Sequence, residues 1–261
     1  MFRVSNAIAI AAIALGIAAC GSDQSKSAQP SSPAAAPDLK TVDEATTGSI
    51  SGKVAVDGTL PPNAPIRMDS DPACESDNKE QAHAQTYVMS DGGLENVFVY
   101  IKDDLGKTYR FEVPSSPLKL EQKGCHYVPH VLGIRVGQPL QITNDDATMH
   151  NVHGLGQSNR EFNFSQPVKG MKNTITFTKP EVMMPFKCDV HSWMHAYIGV
   201  MDHPYFAVTG NGGTFELRGV PPGTYTIEAW HEKLGTETQS VTLGDKGHKE
   251  ITFTFKAPST T

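Results

Sequence analysis

Positive charge is scarce in this sequence: 22 Lys and Arg stand against 28 Asp and Glu, a formal net charge of −6. A nucleic-acid binder needs a basic footprint, so that class is excluded. Long apolar runs are missing too. The most apolar stretch, Ala7–Ala19, holds only Ala, Ile, Leu and Gly and is too short to span a bilayer. Four cysteines in 261 residues are too few for a scaffold held mainly by disulfides. No segment shows a long apolar stripe at helical spacing, which excludes a helical bundle.

What is present is turn chemistry and short strands. The chain has 23 Gly and 18 Pro. Between them lie β-branched and aromatic runs, including Ser49–Val56, Val97–Lys102, Tyr109–Val113, Val131–Val136, Leu140–Asn144, Met183–Cys188, Ala196–Met201, Tyr225–His231 and Glu250–Phe255. Such runs predict an all-β protein. Polar Asp69–Gln85 leaves room for one short helix.

The N-terminus reads as an export signal. Arg3 supplies a charged start, Ala7–Ala19 an apolar h-region, and Ala18 and Ala19 a small-residue cleavage site, giving a signal peptide over 1–19. Ile17-Ala18-Ala19-Cys20 resembles a bacterial lipobox. That resemblance implies a lipid on Cys20 that anchors the chain to a membrane of the cell envelope. The lack of Asp directly after Cys20 favours the outer membrane. Residues 20–47 are rich in Ser, Ala, Thr and Pro, cannot bury a core, and predict a tether with the fold starting near Gly48.

Histidine is unevenly placed. Seven of the ten lie between His126 and His203, and methionines crowd the same window. Two segments stand out: Met149-His150-Asn151-Val152-His153, and Cys188-Asp-Val-His191-Ser-Trp193-Met194-His195. Two imidazoles, a thiolate and a weak thioether are the donor set of a type 1 copper site. Cys188-x-x-His191-x-x-Met194 supplies three of these from one short loop, and His150 supplies the fourth.

These segments resemble the cupredoxins, blue copper proteins of the plastocyanin, pseudoazurin and amicyanin type. The likeness runs from Leu118 to Asp202. It includes Tyr127-Val-Pro129, the strand pair Val131–Gly137 and Pro139–Asn144, the His150-Asn151-Val152 run, and amicyanin's short ligand loop. It implies a Greek-key sandwich over 116–202 holding one copper ion on His150, Cys188, His191 and Met194. Asn151 would lock the ligand loop by hydrogen bonds, and His191 would be the ligand nearest solvent. Trp193 is a candidate docking residue for a redox partner protein. His153 and His195 are extra imidazoles around the ligands, either of which could replace Met194 on the metal; Met149, Met183 and Met184 read as core strand residues. The chain has no His-x-His pair and no His-Cys-His run, so it is unlike multicopper oxidases. Four protein ligands fill the site, and catalytic metal sites keep a position open. The expectation is an electron carrier without a small-molecule substrate, not an enzyme.

Two cysteines remain. Outside the cytoplasm leftover thiols pair, which predicts a Cys74–Cys125 disulfide. The rival is a second metal site on Cys125, His126 and His130. The flanks, Gly48–Val56 and Gly213–Trp230 with its Pro221-Pro222-Gly223 turn, resemble a carboxypeptidase regulatory-like, transthyretin-like β-sandwich. That implies a second small sandwich over 48–115 plus 203–257, with the copper domain inserted, or else two consecutive domains. His231 reads as a surface strand residue. Two further functions fit the same residues. One is copper storage or delivery. The other is a surface-binding β-sandwich whose metal site is structural or lost.

Overall fold

The computed structural model describes residues 38–259. The signal segment, Cys20 and the tether up to residue 37 lie outside the described residues. The protein is all-β: among the described residues the helical elements are the six-residue helix Pro72–Asp77 and two 3₁₀ turns.

Two sheets come from the flanks of the chain. In one, Gly48–Asp57 lies between antiparallel Thr214–Val220 and parallel His248–Lys256. In the other, the order is Phe206–Val208, Phe98–Ile101, Gly223–His231, Gly235–Leu243. Side chains alternate across a strand, so Ile50 and Val54, and likewise Phe253 and Phe255, face inward. They join Val99, Ile101, Ile227 and Val241 in one apolar cluster drawn from both sheets. This is the outer pair. Pro221-Pro222-Gly223 turns Thr214–Val220 into Gly223–His231, and the Tyr225 hydroxyl donates to the Pro221 carbonyl at 2.8 Å.

The middle of the chain forms an inner pair. One sheet runs Phe162–Gln166, His150–Gly154, Glu181–Lys187, His195–Met201, Val131–Arg135. The other runs Lys172–Ile175, Leu140–Asn144, Leu118–Gln122, Tyr127–Val128. Each contains one parallel pairing, Val131–Arg135 with His195–Met201 and Leu118–Gln122 with Leu140–Asn144. A parallel pairing needs a long crossover rather than a hairpin. Leu120, Ile134, Ile142, Val152, Phe186 and Ile198 fill the space between the sheets.

The pairs meet on a third apolar cluster, in which Phe98, Tyr100, Val131, Met183 and Met201 are buried against Tyr197, Phe206 and Trp230. Two glycines permit the contact. A Cβ on Gly199 would stand 2.5 Å from the Phe98 ring, and one on Gly133 would stand 2.4 Å from the Phe206 ring.

Several expectations are corrected. Tyr109–Val113 is not a strand; Tyr109 makes only an isolated bridge with Lys40, so the ordered backbone reaches back to Lys40. Met149 is exposed rather than core. His231 is buried instead of lying at the surface, because its Nε2 bonds the Thr86 carbonyl and its Nδ1 accepts from the Lys233 and Leu234 amides.

Candidate metal centre

Three of the four candidate ligands sit at strand ends, and His191 lies in the loop between two of them. His150 opens the strand His150–Gly154, a polar segment whose pairing with Phe162–Gln166 extends over five positions. Cys188 follows the strand Glu181–Lys187, and Met194 precedes His195–Met201. The loop between them is tied by its own backbone: the Cys188 amide donates to the Met194 carbonyl at 3.1 Å, and the Met194 amide to the His191 carbonyl at 2.9 Å. His150, Cys188, His191 and Met194 are all buried.

The ring nitrogens of the two imidazoles are already assigned by their neighbours. His150 Nε2 lies 2.9 Å from Asp146 Oδ2, and His191 Nε2 lies 3.0 Å from Asp71 Oδ2. A carboxylate only accepts, so each Nε2 carries the proton. The two Nδ1 atoms face each other at 3.0 Å, close enough to share the second proton that His150 holds in the metal-free protein. The Cys188 sulfur completes this group, with all donor atoms within 4.8 Å of one another. Two imidazole Nδ1 atoms and a thiol converging in a buried space suit a cation with mixed nitrogen and sulfur preference that displaces the shared proton.

Charge is arranged to match. Burial pushes the Cys188 thiol up, but the hydrogen bond with His150 and the backbone N–H groups of Asn151, His191 and Val190 outweigh it and hold it below its ordinary value. Burial alone would lower the pKa of His150; hydrogen bonds to Asp146 and Cys188 reverse that and raise it to about 9. His191 is pulled below its ordinary value, chiefly by burial.

Asn151 holds the loop. Its Oδ1 accepts from the Asp189 amide at 2.6 Å and lies 3.3 Å from the Cys188 sulfur. Its Nδ2 donates to Asn163 and Asp189. His153 points elsewhere, with Nδ1 toward Asp189 and Nε2 toward Glu161. His195 also stands outside the ligand group, beside Glu232. Trp193 is half-buried; its Nε1 donates to the Cys125 carbonyl at 3.0 Å, and its ring centroid lies 5.0 Å from that of His191.

His191 is the most exposed of the four candidate ligands, yet at 3% it too is buried. A cap drawn from residues 63–85 covers it. Asp71 caps the helix Pro72–Asp77 by accepting from the Ala73 and Cys74 amides, and Thr148 donates to the same carboxylate at 2.6 Å. The cap is pinned by the Cys74–Cys125 disulfide and by Asn78, whose Nδ2 donates to the Gly124 carbonyl. Cys74 Sγ lies 3.7 Å from His191 Nε2. The rival metal site on Cys125, His126 and His130 is thereby removed, because Cys125 is spent in the disulfide.

Sequence reasoning missed both carboxylates. Asp146 carried a signal, lying four residues before His150. Asp71 carried none, because its partner is 120 residues away.

No family model matches the chain, and no curated protein matches it. Solved structures do. The copper-containing nitrite reductase of Thermus scotoductus SA-01 is similar over 36% of this chain at 25% identity and TM-score 0.32. A reduced mutant form of amicyanin is similar over 34% of this chain and 87% of its own, at 24% identity and TM-score 0.30. The purple cupredoxin of Nitrosopumilus maritimus is similar over 32% of this chain and 98% of its own, at 22% identity and TM-score 0.27. The match spans 24% of the nitrite reductase chain.

Proposed function

We propose that this chain is a mononuclear type 1 copper protein of cupredoxin type that carries single electrons to and from a partner protein at the bacterial envelope. The observation that carries the reading is the pair of Nδ1 atoms, 3.0 Å apart, converging with the Cys188 sulfur in a buried space. His150, His191 and Cys188 would hold the ion, with Met194 as the weak axial ligand. Copper bound there would supply one-electron redox chemistry. Asp146 and Asp71 fix the tautomer and orientation of the two imidazoles, the role that outer partners play at metal sites. Asn151 fixes the loop, and the cap excludes water. In this reading the outer pair is a carboxypeptidase regulatory-like sandwich that carries the inner pair. Lipid on Cys20 is the anchor, and the net charge of −6 suits a basic partner.

The test is the visible spectrum of the mature protein loaded with Cu(II). An intense thiolate-to-copper band that disappears in Cys188→Ala is expected. A colourless Cu(II) protein overturns the assignment.

A further inference from the structure

A second set of donors meets where the outer and inner pairs join. His130 lies just before the strand Val131–Arg135, and His195 opens the strand His195–Met201. Glu232 sits in the turn between Gly223–His231 and Gly235–Leu243. Two donors therefore come from the inner pair and one from the outer pair. Their ligand atoms all lie within 4.8 Å of one another. His130 Nε2 is 2.6 Å from Glu232 Oε1, and His195 Nε2 is 3.6 Å from Glu232 Oε2. The Tyr197 hydroxyl donates to the same Oε2 at 3.2 Å. The side chains of His130 and Glu232 are buried, while that of His195 is 34% exposed.

The orientation of His195 is informative. Its Nδ1 lies 3.0 Å from the Trp193 carbonyl oxygen. A carbonyl only accepts, so Nδ1 carries the ring proton. In the neutral ring, the Nε2 lone pair is then directed at a carboxylate oxygen 3.6 Å away. Two electron-rich atoms at that separation are bridged by a cation about 2.0–2.2 Å from each. His130, by contrast, already donates to Glu232, so the neutral ring becomes a ligand through Nε2 by moving its proton to Nδ1.

We propose that His130, His195 and Glu232 form a second metal site, which takes one borderline divalent ion of the Zn(II) or Cu(II) kind and joins the two sheet pairs. The donors are two imidazoles and a carboxylate with no sulfur, which suits those ions and disfavours Cu(I). Three protein ligands leave a position for water on the exposed side of His195. The site shares no residue with the His150, Cys188 and His191 group, and it stands whether or not that group holds copper.

The test uses the mature full chain, stripped with a chelator and titrated with Zn(II) by calorimetry and with Cu(II) by electron paramagnetic resonance. The expected result is a Zn(II) equivalent that persists in Cys188→Ala and raises the melting temperature. Its affinity falls at least tenfold in His195→Ala, a change at a part-exposed position that the fold tolerates, and also in Glu232→Gln. With Cu(II), this equivalent gives the wide hyperfine splitting of nitrogen and oxygen ligation, unlike a thiolate site. The proposal is overturned if the equivalent is absent from the wild type, or if its affinity is unchanged in both variants. In that case the three residues are a metal-free ion pair between the sheet pairs. Failure of the Cys188 chromophore leaves these readouts untouched, so the two assignments fail separately.

Discussion

The carboxylate of Asp71 lies 3.0 Å from Nε2 of His191, and with Cys74 it closes over an imidazole edge that would otherwise face solvent. A negative charge on the outer nitrogen of a metal-binding imidazole favours the more positive metal state. In copper-loaded protein, Asp71→Asn is expected to raise the reduction potential by an amount equivalent to about 1–2 kcal/mol. A redox titration of the visible band measures it, and an unchanged potential would show that the carboxylate only positions the ring.

The same residue sets an acid limit. The Thr148 hydroxyl is the largest influence on Asp71; with the Ala73 amide, His191 and the Cys74 amide it outweighs burial and holds the pKa at about 2. A depressed carboxylate stabilises the fold above its unfolded value near 4, and that contribution disappears as pH falls toward 2. Asp71 is about a fifth exposed, so roughly 1–2 kcal/mol is expected at neutral pH. In metal-free protein the stability gap between wild type and Asp71→Asn should be flat above pH 5 and should close by pH 2. A gap that stays constant down to pH 2 would count against this assignment.

Removing the disulfide should open the cap. Cys74 and Cys125 are separated by 51 residues, a loop whose closure contributes about 4 kcal/mol in the chain-entropy model. Denaturant unfolding of Cys74→Ser with Cys125→Ser should show a loss of that order. Amide exchange over residues 63–85 should speed up more than exchange in the inner sheets.

Asn151 is a single point of failure for the ligand loop. Asn151→Ala leaves the Asp189 amide without its 2.6 Å acceptor and Cys188 without its polar neighbour. The expected cost is about 1–3 kcal/mol, together with faster release of copper to a chelator and an unchanged far-ultraviolet circular dichroism spectrum.

Gly199→Ala should loosen the junction between the sheet pairs. The new methyl would lie 2.5 Å from the Phe98 ring, which must move within a packed cluster. About 1–3 kcal/mol of destabilisation is expected, read from the denaturant midpoint.

Much of this was legible because it is local. Period-2 alternation marks Phe253 and Phe255 as inward, and the Cys188 and His191 spacing marks the loop that meets His150. The Cys74–Cys125 pair was found by assigning the other thiols. The strand His150–Gly154 was missed because His-Asn-Val-His-Gly carries no strand pattern; its place is fixed by neighbours on both edges. Glu232, Asp71 and the burial of His191 were illegible for one physical reason. Each depends on segments about 100 residues apart or more coming together, and no local periodicity records that closure.

The cap also sets an order of assembly. Residues 63–85 leave the ribosome first, yet their partners Cys125, Thr148 and His191 follow 51, 77 and 120 residues later. Contacts of that range form late, because a long loop must close before they contribute. The inner sheets can therefore present an open nest of His150, Cys188 and His191 before the helix Pro72–Asp77 arrives. Oxidation of Cys74 and Cys125 then pins the cap over the nest. The disulfide would thus act as a brake on metal exchange, slowing both entry and release without forbidding either.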